Sequence, residues 1–486
     1  MLCAAVLFGT RLKSAITDIH ASGVGVAQHP DYGRIYVPFA FPGETVDIEL
    51  RDEARSGQWN AVRISPVENF CTHAARCGGC LWPGADYAAQ LLWKQKLLQR
   101  ALQNFPAFAA LQVAVHGSAK TTGVRNRQHL HAHFFQERFE FGFYARGSKK
   151  LVAIEDCPMG SEALRKVVSA MHALRHQPFP VADNFGFGIE LIHFAAASGQ
   201  LPEVQMVLYA SPARHDALRQ VLPVFAALPG VQVVIRDSED KGNVRLWQIV
   251  DGIELFTRPG CFQQGNSAQA DVIRNLIGGG ISAKETKVLF DLYSGSGNYS
   301  LPFARRVQRI FGCDENAAGI DVARLNVAHN QIGNAQYDCG KTAEVLKNRS
   351  ALGWPEKADL AILDPARPCA QEPQPRQMPP IQGDPGRLQR GHAPQRQRAL
   401  AAKLQMRSEA SSEKSMNWNA AAGRRPAHGP HHVPRLPGQD REAFALIIVP
   451  PALRICSNPT SRVSPCAIVF VAIRHKKPFC LRNLNA

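Results

Sequence analysis

The sequence predicts a multidomain protein with three folded parts: an N-terminal OB-like β-barrel, a central α+β domain organised by cysteines, and an incomplete Rossmann-like α/β domain. Three observations carry this reading. Short apolar runs punctuated by glycine and proline crowd residues 15–68; a close cysteine triplet opens residues 69–265; and from residue 266 strands alternate with helices. A chain of 486 residues has room for about three domains. Its 45% hydrophobic and 20% charged residues are ordinary for a globular protein. They exclude a wholly disordered chain, a collagen-like chain and a membrane bundle.

In the barrel, Asp18–Ala27 is apolar and carries Gly23 and Gly25, while Arg34–Val37 and Val46–Leu50 read as strands around a Pro42-Gly43 turn. The central domain begins with Cys71, Cys77 and Cys80. An amphipathic helix follows over Ala88–Leu102, with Leu91, Leu92, Leu98 and Leu102 near helical spacing. Strands are expected at Leu130–Phe135, Phe139–Tyr144 and Leu151–Ile154, then β-rich alternation over 186–256 with a helix at Ala213–Leu222. His129, His131 and His133 alternate and so share one face of a strand, as a polar sheet surface or a metal site.

The α/β part, 266–367, reads as helix Ser267–Ile277, strand Lys287–Leu292, a glycine-rich turn, a helix, strand Arg309–Cys313, helix Gly319–Asn330 and strand Leu360–Leu363, ending at Asp364. Beyond Arg367 this alternation stops. Residues 368–486 hold 16 of the 33 prolines, and only Ala399–Glu413 reads as helical. The net charge of +16 is uneven: residues 1–367 carry 38 basic and 34 acidic side chains, and the tail carries 18 and 6. A basic excess points to an acidic partner such as nucleic acid, but three-quarters of it lies outside the recognisable domains.

Cys71-x5-Cys77-x2-Cys80 is completed by Cys157, ahead of Pro158. Four thiolates can hold tetrahedral zinc or an iron–sulfur cluster. A close triplet with one distant cysteine suits a [4Fe–4S] cubane better than the two close pairs typical of zinc. Gly78-Gly79 lets the backbone wrap between ligands. In the α/β part, Val288–Gly297 is an apolar strand running into a glycine turn. A dinucleotide fingerprint would want glycine at 300, where Ser300 stands. Asp314 ends the next strand, where a carboxylate can take the ribose hydroxyls of a nucleoside cofactor. Asp291 and the turn together look like the S-adenosylmethionine site of a methyltransferase.

Two more motifs complete an order. Phe262-Gln263-Gln264-Gly265-Asn266 precedes the α/β part, and Leu363-Asp364-Pro365-Ala366-Arg367 closes it. With His20–Ala27, Val37–Glu44, Val124–Arg127, Gly142–Ser148 and Asp156-Cys157-Pro158, the chain resembles the RNA uracil-5-methyltransferase family over residues 15–367. Within that family it is similar to the iron–sulfur, TRAM-containing branch acting on 23S ribosomal RNA. The resemblance implies a TRAM domain at 15–68, a [4Fe–4S] cluster on Cys71, Cys77, Cys80 and Cys157, and contacts to S-adenosylmethionine from Gln264, Tyr293, Asn298, Asp314 and Asp364. Twelve cysteines in a chain of this length are too sparse for a secreted disulfide scaffold, no apolar run reaches about 18 residues, and Met1–Thr10 lacks a basic leader pattern, so a cytoplasmic protein without a membrane partner is expected, as a monomer.

The family's chemistry uses a cysteine thiolate that adds to C6 of uracil and a carboxylate base that removes the C5 proton. The family carries these in a Ser-Cys-Asn-Pro motif and a His-Val-Glu-like segment. Neither is in place here. Cys369 follows Arg367 too closely, Cys456-Ser457-Asn458-Pro459 has two letters exchanged, and His431-His432-Val433-Pro434 offers no carboxylate. No catalytic residue is therefore assigned. A shifted reading frame from about residue 368 accounts for the lost alternation and the missing motifs together. The expected function is uracil C5 methylation in 23S ribosomal RNA, inactive in this chain if the motifs are truly lost. The alternatives are an RNA-binding protein with a vestigial cofactor site and, third, an iron–sulfur redox enzyme.

Overall fold

The computed structural model describes residues 9–364 apart from 56, 68–69, 75, 105–111, 136–137, 178, 180–184, 195–202, 237–242 and 283, together with the tail segments Ala443–Phe444 and Ile473–Cys480. Five strands form the N-terminal barrel: β1 (Arg11–Ile19), β2 (Gly25–His29), β3 (Gly33–Val37), β4 (Thr45–Arg55) and β5 (Gln58–Arg63). The barrel closes in the order β1-β2-β3-β5-β4, with β3 and β5 parallel and β1 pairing antiparallel with β4. Alternate residues point inward, so Ile16, Ala27, Ile35, Val37, Ile48 and Leu50 fill it. The apolar run over Asp18–Ala27 is two strands rather than one. The chain reverses at His20–Val24, where Gly23 takes φ +81° and donates its N–H to the His20 carbonyl at 2.7 Å.

Helix α1 (Tyr87–Gln103) starts where Asp86 accepts a hydrogen bond from the Ala89 N–H and packs Leu97 and Leu98 against Phe41 and Trp82. The central sheet follows: β6 (Arg127–Phe135), β7 (Arg138–Tyr144), β8 (Leu151–Ala153), β9 (Phe185–His193), β10 (Val204–Tyr209) and β11 (Val231–Ile235). Its order is β11-β10-β9-β6-β7-β8, with only β10 and β11 parallel. Helices α2 (Glu162–Ala173) and α3 (His215–Ala226) cover one face, and their Val167, Val168, Leu218 and Phe225 share a core with Leu130, Phe134, Ile189 and Met206. α2, which the sequence reading missed, starts where Ser161 accepts from the Leu164 N–H.

A hairpin of β12 (Arg245–Val250) and β13 (Ile253–Thr257) leads through residues 258–266 into α4 (Ser267–Gly280). The second sheet is built from β14 (Val288–Leu292), β15 (Arg309–Asp314), β16 (Ala335–Cys339) and β17 (Lys357–Leu363), all parallel in the order β16-β15-β14-β17. α5 (Ala317–His329) and α6 (Thr342–Lys347) are its crossovers. Both faces are buried. Leu289, Ile310 and Leu360 pack on one side, and Phe290, Phe311 and Trp354 on the other. β16 and α6 were not foreseen. The helix expected after the glycine turn is a short 3-10 segment, Leu301–Arg306, with Pro302 in its first turn. Beyond β17 the sheet continues with tail strand β19 (Ile473–Cys480), antiparallel, which pairs in turn with β18 (Ala443–Phe444). The expected helix at Ala399–Glu413, together with Cys369, Cys456 and His431, lies outside the described residues. Among the described residues, no helix is long and apolar enough to cross a membrane.

Candidate functional site

A parallel sheet binds ligands at the carboxyl ends of its strands. There β14 ends in Asp291-Leu292 and breaks into a turn through Tyr293–Ser300. Tyr293, Gly295 and Gly297 all have positive φ, at 71°, 52° and 81°. The strained Tyr293 is held because the Tyr293 and Ser294 N–H groups both donate to the Cys313 carbonyl, at 2.8 and 2.9 Å. At Gly297 a β-carbon would meet Leu301 at 2.7 Å and the Tyr337 hydroxyl at 2.9 Å.

Asp314, at the end of β15, fixes this turn. One carboxylate oxygen accepts the Gly295 N–H at 2.9 Å and the other accepts the Asn316 N–H at 2.8 Å. Asp291 is buried and accepts a short hydrogen bond from the Ser300 hydroxyl, which lies 2.7 Å from the Tyr337 hydroxyl. This explains why position 300 is not glycine: the hydroxyl ties the strand-end carboxyl to β16. Burial pushes the Asp291 carboxyl up to about 7, opposed by the Ser300 bond and helped by the charge of Asp314. Asp364, at the end of β17, is also pushed up to about 7, by burial and then by Asp291 and Asp314. The structure thus brings Asp291, Asp314 and Asp364 together.

Asn298 is buried, and its Oδ1 accepts from the Arg274 guanidinium at 3.0 Å. Arg274 also donates to Gln248 at 3.0 Å and pairs with Asp271. Gln264 lies in the loop before α4 with its amide nitrogen buried. It interacts with Tyr299, whose hydroxyl is held well above its ordinary value by burial and by Asp364. So Gln264, Asn298, Asp314 and Asp364 converge on the turn that contains Tyr293. Tyr299 and Arg274 belong to the same cluster, and no spacing rule singled them out; Ser300 joins them, noted in the sequence only as a missing glycine.

The loop 258–266 is stitched on both sides. Gln263 donates to the Ser296 hydroxyl at 2.8 Å, Arg258 pairs with Asp321 at 3.0 Å, and Asn316 donates to the Gly260 carbonyl at 3.1 Å. From the central sheet, the Asn126 N–H donates to the Gly265 carbonyl at 2.9 Å and Arg127 donates to the Cys261 carbonyl at 2.7 Å.

Cys71, Cys77, Cys80 and Cys157 are half-buried and form no disulfide, and Cys71, Cys77 and Cys157 lie close enough to help raise the pKa values of the Cys77, Cys80 and Cys157 thiols. Burial is the larger cause, pushing Cys77 to about 11 and Cys80 to about 12. Gly78 is required by a close approach: its N–H donates to the Tyr144 carbonyl at 3.0 Å, and a β-carbon would stand 2.7 Å from that oxygen. Among the described residues, no group of three or more His, Cys, Asp or Glu side chains is arranged to hold a metal ion. A single zinc needs sulfurs about 2.3 Å from one point, whereas a cubane carries its ligands on separate corners and takes thiolates set further apart. The donor set here is sulfur alone, and metal binding would draw off the protons that burial retains.

The family model described as tRNA (Uracil-5-)-methyltransferase matches residues 86–347. The 23S rRNA (uracil(1939)-C(5))-methyltransferase RlmD of Mannheimia succiniciproducens is 30% identical over 374 residues, covering 73% of this chain and 81% of that protein. Its namesake from Pseudomonas aeruginosa is 28% identical over 392 residues, covering 76% and 82%. The Pyrococcus abyssi tRNA (uracil-54, C5)-methyltransferase, solved with S-adenosyl-L-homocysteine, aligns over 72% of this chain and 89% of its own with a TM-score of 0.48 and 20% identity. The extent of the family match and the 30% identical relative make this chain a member of the tRNA (uracil-5-)-methyltransferase family.

Proposed function

We propose that the site is built for the methylation of uracil C5 in 23S ribosomal RNA with S-adenosylmethionine as methyl donor, and that this chain lacks the groups that complete the transfer. The observation that carries the cofactor assignment is the convergence of Asp314, Asp364, Asn298 and Gln264 on a glycine turn at the strand ends. Asp314 binds the ribose hydroxyls with the lone pairs its two backbone bonds leave free. Gln264 supplies a buried amide donor, and Arg274 turns the Asn298 amide so that its N–H2 faces away from the guanidinium. Tyr293 is held by the strained turn to pack beside the cofactor. The substrate assignment follows the relatives named for 23S rRNA.

A [4Fe–4S] cluster on Cys71, Cys77, Cys80 and Cys157 belongs to this proposal, as does a TRAM role for the barrel. The cysteine loop is a natural place for a structural staple. Trp82 donates to the Gly23 carbonyl of the barrel at 2.9 Å, and Gly78 bonds the end of β7. Iron and sulfide analysis with visible absorbance after anaerobic purification tests it, and stoichiometric zinc without iron would refute it.

The nucleophile and base motifs are absent from the sequence after Asp364. The chain as written therefore binds cofactor and RNA without efficient transfer. Calorimetry with S-adenosylmethionine, paired with a methyl-transfer assay on unmodified 23S RNA, tests this. Cofactor binding without transfer is expected. Efficient transfer would refute the inactivity. RNA binding with no cofactor affinity would favour the reading as an RNA-binding protein with a vestigial cofactor site, which the missing motifs also allow.

A further inference from the structure

The three strand-end carboxyls of the α/β part have no cation among them. Around the same sheet other acidic side chains are matched. Asp321 pairs with Arg258 at 3.0 Å, Asp271 pairs with Arg274, and Glu254 pairs with His329 at 2.7 Å. Asp359 accepts the Lys287 and Val288 N–H groups at 2.9 and 2.8 Å. Asp291, Asp314 and Asp364 form no ion pair among the described residues.

The groups that face them are neutral or acidic. Against Asp291 stand the Ser300 and Tyr337 hydroxyls, the Cys313 thiol and the carboxyls of Asp314 and Asp364. Against Asp364 stand Tyr299, Asp291 and Asp314. Burial holds Tyr299, Tyr337 and Cys313 protonated. Arg274, beside the turn, is engaged by Asn298, Gln248 and Asp271. Lys341, just past β16, is exposed and joins no ion pair among the described residues. No basic side chain draws either buried carboxyl down.

Carboxyls that share a buried site without a cation cannot all ionise. The site therefore keeps protons: Asp291 and Asp364 are each held up to about 7, by burial above all, with acidic neighbours adding to it. A ligand that brings positive charge reverses this. The carboxyls ionise against it and their protons pass to solvent, so ligand binding and deprotonation are linked. S-adenosylmethionine and S-adenosylhomocysteine share the adenosine and the amino acid end. They differ by one unit of charge, a sulfonium against a neutral thioether.

We propose that the buried carboxyls of Asp291 and Asp364 are the counter-charge for the sulfonium, so that the site takes up the methyl donor with release of a proton and discriminates by charge against the demethylated product. This rests on the cofactor reading above. The proton leaves a carboxyl for solvent as the sulfonium enters, and returns when a thioether replaces it.

Calorimetric titration of the full chain at about pH 6, repeated in buffers of low and high ionisation enthalpy, counts the protons. S-adenosylmethionine should release about one proton more than S-adenosylhomocysteine, and its advantage in affinity should grow several-fold per pH unit between about 5 and 7. Asp364→Asn, which keeps the shape and removes the charge, should lower the preference for the donor about tenfold and remove most of the proton difference. Asp364→Glu should retain both. A side chain with a merely structural role would move neither. Equal proton release by the two wild-type complexes, or a ratio of affinities that does not change with pH, would overturn the proposal and leave the proposed function standing. A proton difference that persists in both Asp364→Asn and Asp291→Asn would do the same. Wild-type protein that binds neither ligand would overturn both.

Discussion

Two glycines in this molecule do the same thing with opposite consequences. In the parallel sheet, Gly312 of β15 is paired with Tyr337 of β16, and a β-carbon on it would lie 2.2 Å from the tyrosine ring. In the central sheet, Gly188 of β9 is paired with Tyr209 of β10, and a β-carbon there would lie 2.1 Å from the ring. Each glycine is covered by the aromatic ring of its cross-strand partner. Tyr337 is buried at 3% exposure, and its hydroxyl lies 2.7 Å from the Ser300 hydroxyl, which itself donates to Asp291. Tyr209 instead lines an open groove, with the Arg236 guanidinium 4.3 Å from its ring centroid. A sheet buried on both faces must hold its ligands at its strand ends and keep its rings fixed. A sheet with one open face can present its rings as a surface.

Gly312→Ala should bring the largest loss. Tyr337 has nowhere to go, so about 3 kcal/mol of stability and several degrees of melting temperature should disappear, with weaker cofactor binding. An unchanged melting curve would mean that the closed sheet yields as the open one does.

Asp291→Asn should act through pH. The wild-type carboxyl is held up to about 7, so between about 4 and 7 the folded protein keeps a proton that the unfolded chain releases. That contribution is present below about 4 and is lost as the pH rises through about 7. The melting temperature of the wild type should therefore fall between pH 5 and 8 more steeply than that of the variant, read by thermal melts across that range. Parallel slopes would show that the carboxyl ionises early.

Ser300→Ala removes the hydroxyl shared by Asp291 and Tyr337 and should cost roughly 1–2 kcal/mol, measured by denaturant unfolding. The smallest effect belongs to Gly188→Ala: under about 1 kcal/mol, because Tyr209 lines an open groove. A loss as large as that at Gly312 would erase the distinction between the two sheets.

The sequence revealed the elements whose local chemistry is strong. Leu91, Leu92, Leu98 and Leu102 marked α1, and the apolar run ending in Asp291-Leu292 marked β14. Gln264, Asn298, Asp314 and Asp364 could be picked out because a family order of motifs surrounds them. What stayed hidden depends on long-range contact. β16 (Ala335–Cys339) has a mixed pattern, buried chiefly at Tyr337, and is strand only because β15 pairs with it. Ser300 looked like a missing glycine because its partners, Asp291 and Tyr337, meet it only in the folded sheet. The division of Asp18–Ala27 into two strands depends on Gly23, whose positive φ marks a reversal that an apolar run conceals.

The loop 258–266 has a thermodynamic consequence. It is pinned by Gln263, Arg258 and Asn316 to the cofactor turn and its helix, and by Asn126 and Arg127 to the root of the open sheet. Two ligands seated on either side of one splint share the cost of ordering it, so their affinities are linked. Saturating S-adenosylmethionine should tighten RNA binding by the same factor by which RNA tightens S-adenosylmethionine. Titrating each in the presence and absence of the other measures that factor, and a value of one would mean that the splint is already rigid.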